Sequence, residues 1–366
     1  MRSKKFIVPV LLAGFVFSLL VAPSFAGSGF PQAQDNQEKK EAKQPPAKIY
    51  IPKEVRDVML GGLQTRTVRQ DIPFSVFKSS FLPAQANFYV FLFLKMKNGD
   101  LGFAPPAPAP AAKDAPPPAV PAPPATKLAA RFDVFLQFHK MENGAPTQIV
   151  KEVFIPTTME LDAAGYDPEK EDWYTVGYPL PAADYLVAVA VTTHDLKKIG
   201  TQYYEFSLLD LKVMKDLDTT PIFFLKEYKE LQQAETIAEL HRQFMRYAIL
   251  QITPNIDNTV AVGDPLDLFF LILGAQPNEQ NKYDIDCQYE VKQGDKEAVK
   301  FSPAKYDNPF ISQPLPLKQT LITKDKDGKE SQTIKDLDAG SYTFICKLTD
   351  KISGRTCTKT VDFTVK

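Results

Sequence analysis

Few side chains in this 366-residue chain are equipped for chemistry: three Cys, three His and one Trp. Cys287, Cys346 and Cys357 each share parity with the apolar residues of their own segments, which turns them inward. An odd count leaves at least one thiol unpaired, and three buried thiols packing as small apolar groups remain the other reading. Cys346 and Cys357 fall on successive segments of a hairpin, where a disulfide between them is one pairing. No His stands near enough to activate any of them as a nucleophile. His139, His194 and His241 are widely separated, whereas zinc needs three or four converging ligands, so neither a metal nor a cofactor is expected.

Carboxylates are the other candidates. Asp167, Glu169, Glu171 and Asp172 precede Trp173 and Tyr174. Paired acids beside aromatic rings suit glycoside hydrolysis or sugar stacking. Pro168 and Lys170 are interleaved, so a solvated loop whose aromatics plug the fold explains the same residues; Trp173 with Tyr174 is the best ligand contact on offer. The run from Asp325 through Asp327 and Gly328 to Glu330 looks like half a calcium loop, but its twelfth position is Asp336 rather than Glu. A tight hairpin turn at Asp327-Gly328 accounts for it better. No phosphate-cradling Gly loop, Gly-x-Ser-x-Gly elbow or His-Glu-x-x-His is present, and the expectation is a protein that is not an enzyme.

The elements that must position these residues alternate with period two. Phe88, Val90, Leu92 and Leu94 interleave with Tyr89, Phe91 and Phe93, so this strand is apolar on both faces. Phe132, Val134, Leu136 and Phe138 form one face of the next strand, with Asp133, Gln137 and His139 turned outward, and Asn143-Gly144 reads as a hairpin turn. The series returns later: 268–273 is again apolar on both faces, and Tyr283, Ile285, Cys287, Tyr289 and Val291 form an inward face. Phe132-Asp133-Val134 matches Tyr283-Asp284-Ile285, and Leu180 with Tyr185 matches Leu337 with Tyr342. Two copies of one fold are implied. Domain 1 is placed at 66–216 and domain 2 at 251–366, joined by a connector at 217–250. There Leu231, Ala234, Ala238 and His241 have helical spacing. A Pro/Ala stretch at 104–126 is a polyproline-type insertion within domain 1.

Short strands, polar turns and period-two faces make the chain all-β. The segment Asp338-Ala339-Gly340-Ser341-Tyr342 resembles the tyrosine corner of immunoglobulin-like sandwiches, and Tyr185 holds the corresponding place in the first copy. The chain thus resembles bacterial extracytoplasmic proteins built of immunoglobulin-like or fibronectin-type domains. The resemblance implies two tandem antiparallel β-sandwiches with a short, partly helical connector, and a binding or structural role. It also implies that the strands of Cys287 and Cys346 adjoin, which makes that pair the second disulfide option. The Cys…Trp…Cys framework of antibody domains is missing.

Residues 1–26 have a basic start, an apolar run at 6–22 and Ser24-Phe25-Ala26 before Gly27, the layout of a secretory signal peptide. Residues 27–65 follow as a disordered tether and lead-in. With 43 basic and 44 acidic residues the chain has no bulk attraction for nucleic acid, and no later segment is long enough to span a membrane. The expectation is an extracytoplasmic, periplasmic or secreted protein that binds an envelope protein or a glycan through loops or edge strands. A carbohydrate-binding module using Trp173 and nearby Tyr residues is the alternative, and a hydrolase ranks last.

Overall fold

The computed structural model describes residues 51–84, 87–105, 126–211, 213–324 and 330–366. The signal-like segment, the tether at 27–47, most of the Pro/Ala stretch and the Asp325–Gly328 turn lie outside them. The first element is a helix, α1 (Lys53–Gly62), where a lead-in without structure is expected. Pro52 precedes it with a φ suited to a helix start. Ile51, Val55 and Met59, at four-residue steps, are fully buried on one face. Tyr203 donates its hydroxyl to the Met59 carbonyl at 2.8 Å and so satisfies one of the orphan acceptors of the last turn.

Seven strands follow: β1 (Phe74–Ala84), β2 (Asn87–Lys97), β3 (Lys127–Glu142), β4 (Ala145–Asp162), β5 (Glu171–Leu180), β6 (Asp184–Thr193) and β7 (Ile199–Ser207). Then come β8 (Asp218–Thr219), β9 (Phe223–Glu230), β10 (Leu240–Arg242), β11 (Met245–Tyr247) and β12 (Leu250–Pro254). The last ten are β13 (Thr259–Val260), β14 (Leu266–Leu273), β15 (Ile285–Gln293), β16 (Lys296–Lys300), β17 (Ala304–Tyr306), β18 (Phe310–Leu315), β19 (Lys318–Lys324), β20 (Glu330–Asp336), β21 (Gly340–Asp350) and β22 (Thr356–Val365). Asn143 and Gly144, both at positive φ, make the tight turn between β3 and β4.

Sheets β4-β3-β6-β7 and β1-β2-β5-β10 enclose one core; sheets β11-β12-β9-β14-β18 and β13-β22-β21-β15-β16 enclose a second. The two halves pair some of their strands in a similar order. β3 pairs with β4 and β6, and β6 with β7; β15 pairs with β16 and β21, and β21 with β22. β2 pairs with β1 and β5, as β14 pairs with β9 and β18.

A third apolar cluster explains the strands that are apolar on both faces. On β2, Phe88, Val90, Leu92 and Leu94 enter the first core, while Phe91 and Phe93 turn the other way. On β14, Leu268 and Phe270 enter the second core, while Phe269 turns the other way. These outward rings meet with Phe223, Met245 and Ile252 in a layer between the two sandwiches. Burial of each such ring contributes about 1.5–3 kcal/mol, so the layer binds the two halves firmly. Gly177 on β5 leaves space for the Tyr89 ring, which a Cβ there would strike. On the far face of β3-β6-β7, Val55 and Met59 of α1 cover Phe135, Leu186 and Ala190.

The connector corrects the expected helix. Its residues form β8 to β11 and the start of β12, and the chain between β9 and β10 is irregular. Helical spacing at 231–241 loses to pairing: β10 extends the first sandwich beside β5, and β12 extends the second beside β9. Those pairings satisfy the connector's backbone and bury Leu240, Met245 and Ile252.

Candidate functional site

The acidic run sits at the amino-terminal end of β5, beside β2. Lys97 reaches Glu169 at 2.9 Å and Lys95 reaches Glu171 at 3.6 Å, along an open cleft of about 590 Å³ that Phe74 and Pro168 also line. Asp167 accepts the Glu169 amide at 2.9 Å, which shapes a local turn. Asp172 is different: it is buried, accepts Arg242 at 2.5 and 3.0 Å, and accepts the Gln243 side-chain amide at 2.6 Å. It fastens β10 to β5 by charge as well as by backbone. Both Glu and Asp172 are thus engaged in ion pairs.

Trp173 does not stand at an open end of the sandwich. It lies within β5, is half-buried, and packs 6.0 Å from the Phe93 ring in the layer between the sandwiches. Tyr174 alternates to the opposite face and is fully buried in the first core, where burial pushes its hydroxyl pKa up to about 12. The two residues therefore form no shared aromatic platform, because adjacent strand residues face opposite sides.

The histidines are placed by tertiary packing. His139, expected on the outer surface, is buried and bonds Gln137 at 2.8 Å. The outward face of β3 is polar in sequence, yet α1 packs over that side of the sheet. Burial holds the His139 pKa below its usual value. His194, in the turn after β6, lies 3.2 Å from Asp133. His241 on β10 bonds Glu235 at 2.9 Å and stacks on Phe244 at 4.7 Å. Glu239 joins them: one ligand atom from each of Glu235, Glu239 and His241 lies within 4.8 Å of the others. Spacing within the sequence missed this set, since an irregular stretch folds Glu235 back onto β10.

All three cysteines are free thiols. Cys287 and Cys346 are buried with their sulfurs 3.7 Å apart, in contact but unbonded. The register explains why neither expected disulfide is formed: Cys287 opposes Leu348, Cys346 opposes Tyr289 and Lys359, and Cys357 opposes Leu348. The thiols are diagonal neighbours across three strands, a wider separation than directly opposed residues have. Cys357 is only partly buried and donates to Asp218 at 3.6 Å. Tyr185 donates to the Pro181 carbonyl at 2.9 Å and Tyr342 to the Asp338 carbonyl at 2.8 Å, the same four-residue return in both halves.

One open backbone surface stands out. β4 ends the order β4-β3-β6-β7, and among the described residues no strand pairs with its outer edge. Between Pro146 and Pro156 every residue keeps its amide. Ile149, Val150 and Phe154 are 41%, 38% and 40% exposed there. A register shift beside Ile149 and Lys151, opposite Phe138 and His139, bends the strand locally.

No helix among the described residues is long and apolar enough to cross a membrane. No family model matches the chain, and no curated protein matches it. A solved structure, the M60 catalytic domain with the CBM51-1 and CBM51-2 domains of Clostridium perfringens ZmpB, aligns with 81% of this chain and 40% of that one, at 7% identity and a TM-score of 0.12. The aligned part is about two fifths of that chain, and a score this low establishes no common fold.

Proposed function

We propose that this chain is an exported, non-enzymatic interaction protein of the cell envelope or extracellular space. Its two halves are read as immunoglobulin-like sandwiches, and it takes up an extended segment of a partner protein on the edge of β4. The observation that carries the reading is the free edge itself. An unpaired strand edge offers a row of N–H and C=O groups that selects another extended backbone, and the exposed Ile149, Val150 and Phe154 add apolar side-chain contacts. The paired tyrosine bonds support the immunoglobulin-like reading. The signal-like start of the chain supports export.

Glycan binding through Trp173 stands second, because Trp173 is only partly exposed and Tyr174 not at all. Crosslinking in intact cells, followed by identification of the crosslinked residues, tests the reading. Crosslinks to one partner are expected along β4, and Val150→Lys is expected to abolish them while the unfolding temperature stays unchanged. Crosslinks that persist in this variant, or that map to another face, would refute the β4 edge as the docking surface.

A further inference from the structure

We propose that Glu235, Glu239 and His241 bind a divalent transition-metal ion of the Zn²⁺ type and so brace the irregular stretch before β10 against the first sandwich. Two carboxylates and an imidazole are a recognised donor set for such an ion, and three protein ligands leave room for water. The geometry is close to what binding needs. With metal–ligand bonds of about 2.0–2.2 Å, neighbouring ligand atoms stand about 3.0–3.5 Å apart. Glu235 and His241 are 2.9 Å apart, and the third ligand atom, from Glu239, is within 4.8 Å. Glu239 is exposed, so its side chain is free to rotate inward.

Two features separate this set from a chance surface cluster. First, it is enclosed: the Glu235 and His241 side chains are only 10% and 8% exposed. Among the described residues no Lys or Arg forms an ion pair with either carboxylate, and His241 is the partner that Glu235 has. The nearby Tyr89 hydroxyl is pushed up to about 12, chiefly by its own burial, with the charge of Glu235 adding to the effect and Arg246 opposing it. Second, the imidazole is held in position. β10 pairs with β5 at His241 and Thr175, and the ring stacks on Phe244. These contacts restrict the ring and keep its Nε2 on Glu235.

The test uses the full chain, stripped with a chelator and titrated with ZnCl₂, with Mg²⁺ and Ca²⁺ as controls. Binding of one Zn²⁺ per chain is expected by calorimetry and by metal analysis after desalting, with a rise in unfolding temperature of about 2–5 °C at saturation. Glu239→Gln is the decisive variant, because Glu239 is exposed and its loss leaves the apo protein equally stable; at least a tenfold loss of affinity is expected. Cys357→Ser is expected to bind as the parent does. Absence of Zn²⁺ uptake, unchanged affinity in Glu239→Gln, or loss of uptake in Cys357→Ser would each overturn the proposal.

Discussion

Replacing Asp172 with Ala tests whether charge fastens the connector to the first sandwich. Asp172 is 1% exposed and takes three hydrogen bonds, two from Arg242 on β10 and one from Gln243. Breaking a buried pair from one side costs about 3–5 kcal/mol, because the surviving charge is left without a partner. Arg242 keeps 30% of its side chain exposed, so water recovers part of its solvation. The expected loss is therefore about 2–4 kcal/mol. At about 2–4 °C per kcal/mol for a unit of this size, the unfolding temperature falls by about 4–16 °C. Thermal and urea unfolding followed by circular dichroism measure the loss, and limited proteolysis reports earlier cutting between β9 and β10. A cycle with Arg242→Ala isolates the pair: the double variant is expected to lose clearly less than the sum of the two single ones. A loss under about 0.5 kcal/mol, or additive effects in the cycle, would show that backbone pairing of β10 with β5 is sufficient and that the ion pair is decoration.

Two further outcomes follow from buried polar groups. His139 has a folded-state pKa held below its unfolded value, chiefly by burial, with Arg66 adding to the effect and Glu152 opposing it. The unfolded chain then binds the proton more readily, so this contribution is intact above about pH 6.5 and is lost as pH falls below it, at no more than about 1.4 kcal/mol per pH unit. Urea midpoints measured from pH 7.5 to 5 are expected to decline less in His139→Gln than in the parent, and equal slopes would count against it. Tyr185→Phe and Tyr342→Phe each remove one hydroxyl-to-carbonyl bond and are each expected to cost about 0.5–1.5 kcal/mol by the same unfolding assay. A neutral effect at either position would show that its half does not depend on the corner.

Much of the fold was legible because strand burial writes a period of two directly into the residues. β2, β3, β6, β15 and β21 all stand where alternation placed them, and the Asn143-Gly144 turn followed from the backbone those two residues favour. Alternation was less informative in the connector. Short strands such as Leu240–Arg242 hold too few residues for a period to show, and 231–241 carries a misleading helical spacing. α1 escaped notice because its apolar positions are only Val55, Val58, Met59 and Leu60, set in a polar stretch. With α1 unseen, the polar face of β3 read as solvent-facing, and His139 with it.

The candidate sites were less legible for a related reason. Parity says which side of a strand a residue occupies but not what covers that side. Trp173 was grouped with Tyr174 as one ligand contact, yet alternation turns the two to opposite faces and the second sandwich decides that Trp173's side of β5 is an internal layer. Cysteine parity placed Cys287 and Cys346 inside the core, whereas their diagonal register is fixed by how β15 and β21 align.

What the sequence by itself determined is local and periodic: an all-β chain, strands with alternating faces, the tyrosines near the start of β6 and β21, and the double-sided apolarity of β2 and β14. Each is set by short-range stereochemistry and by the need to bury one or both faces of a strand. Only the tertiary structure decided that the two double-sided strands face each other across a shared aromatic layer, that Asp172 holds Arg242, and that Glu235 and Glu239 converge on His241. Those are contacts between segments whose spacing in the chain carries no period, so they exist only once packing has brought the segments together.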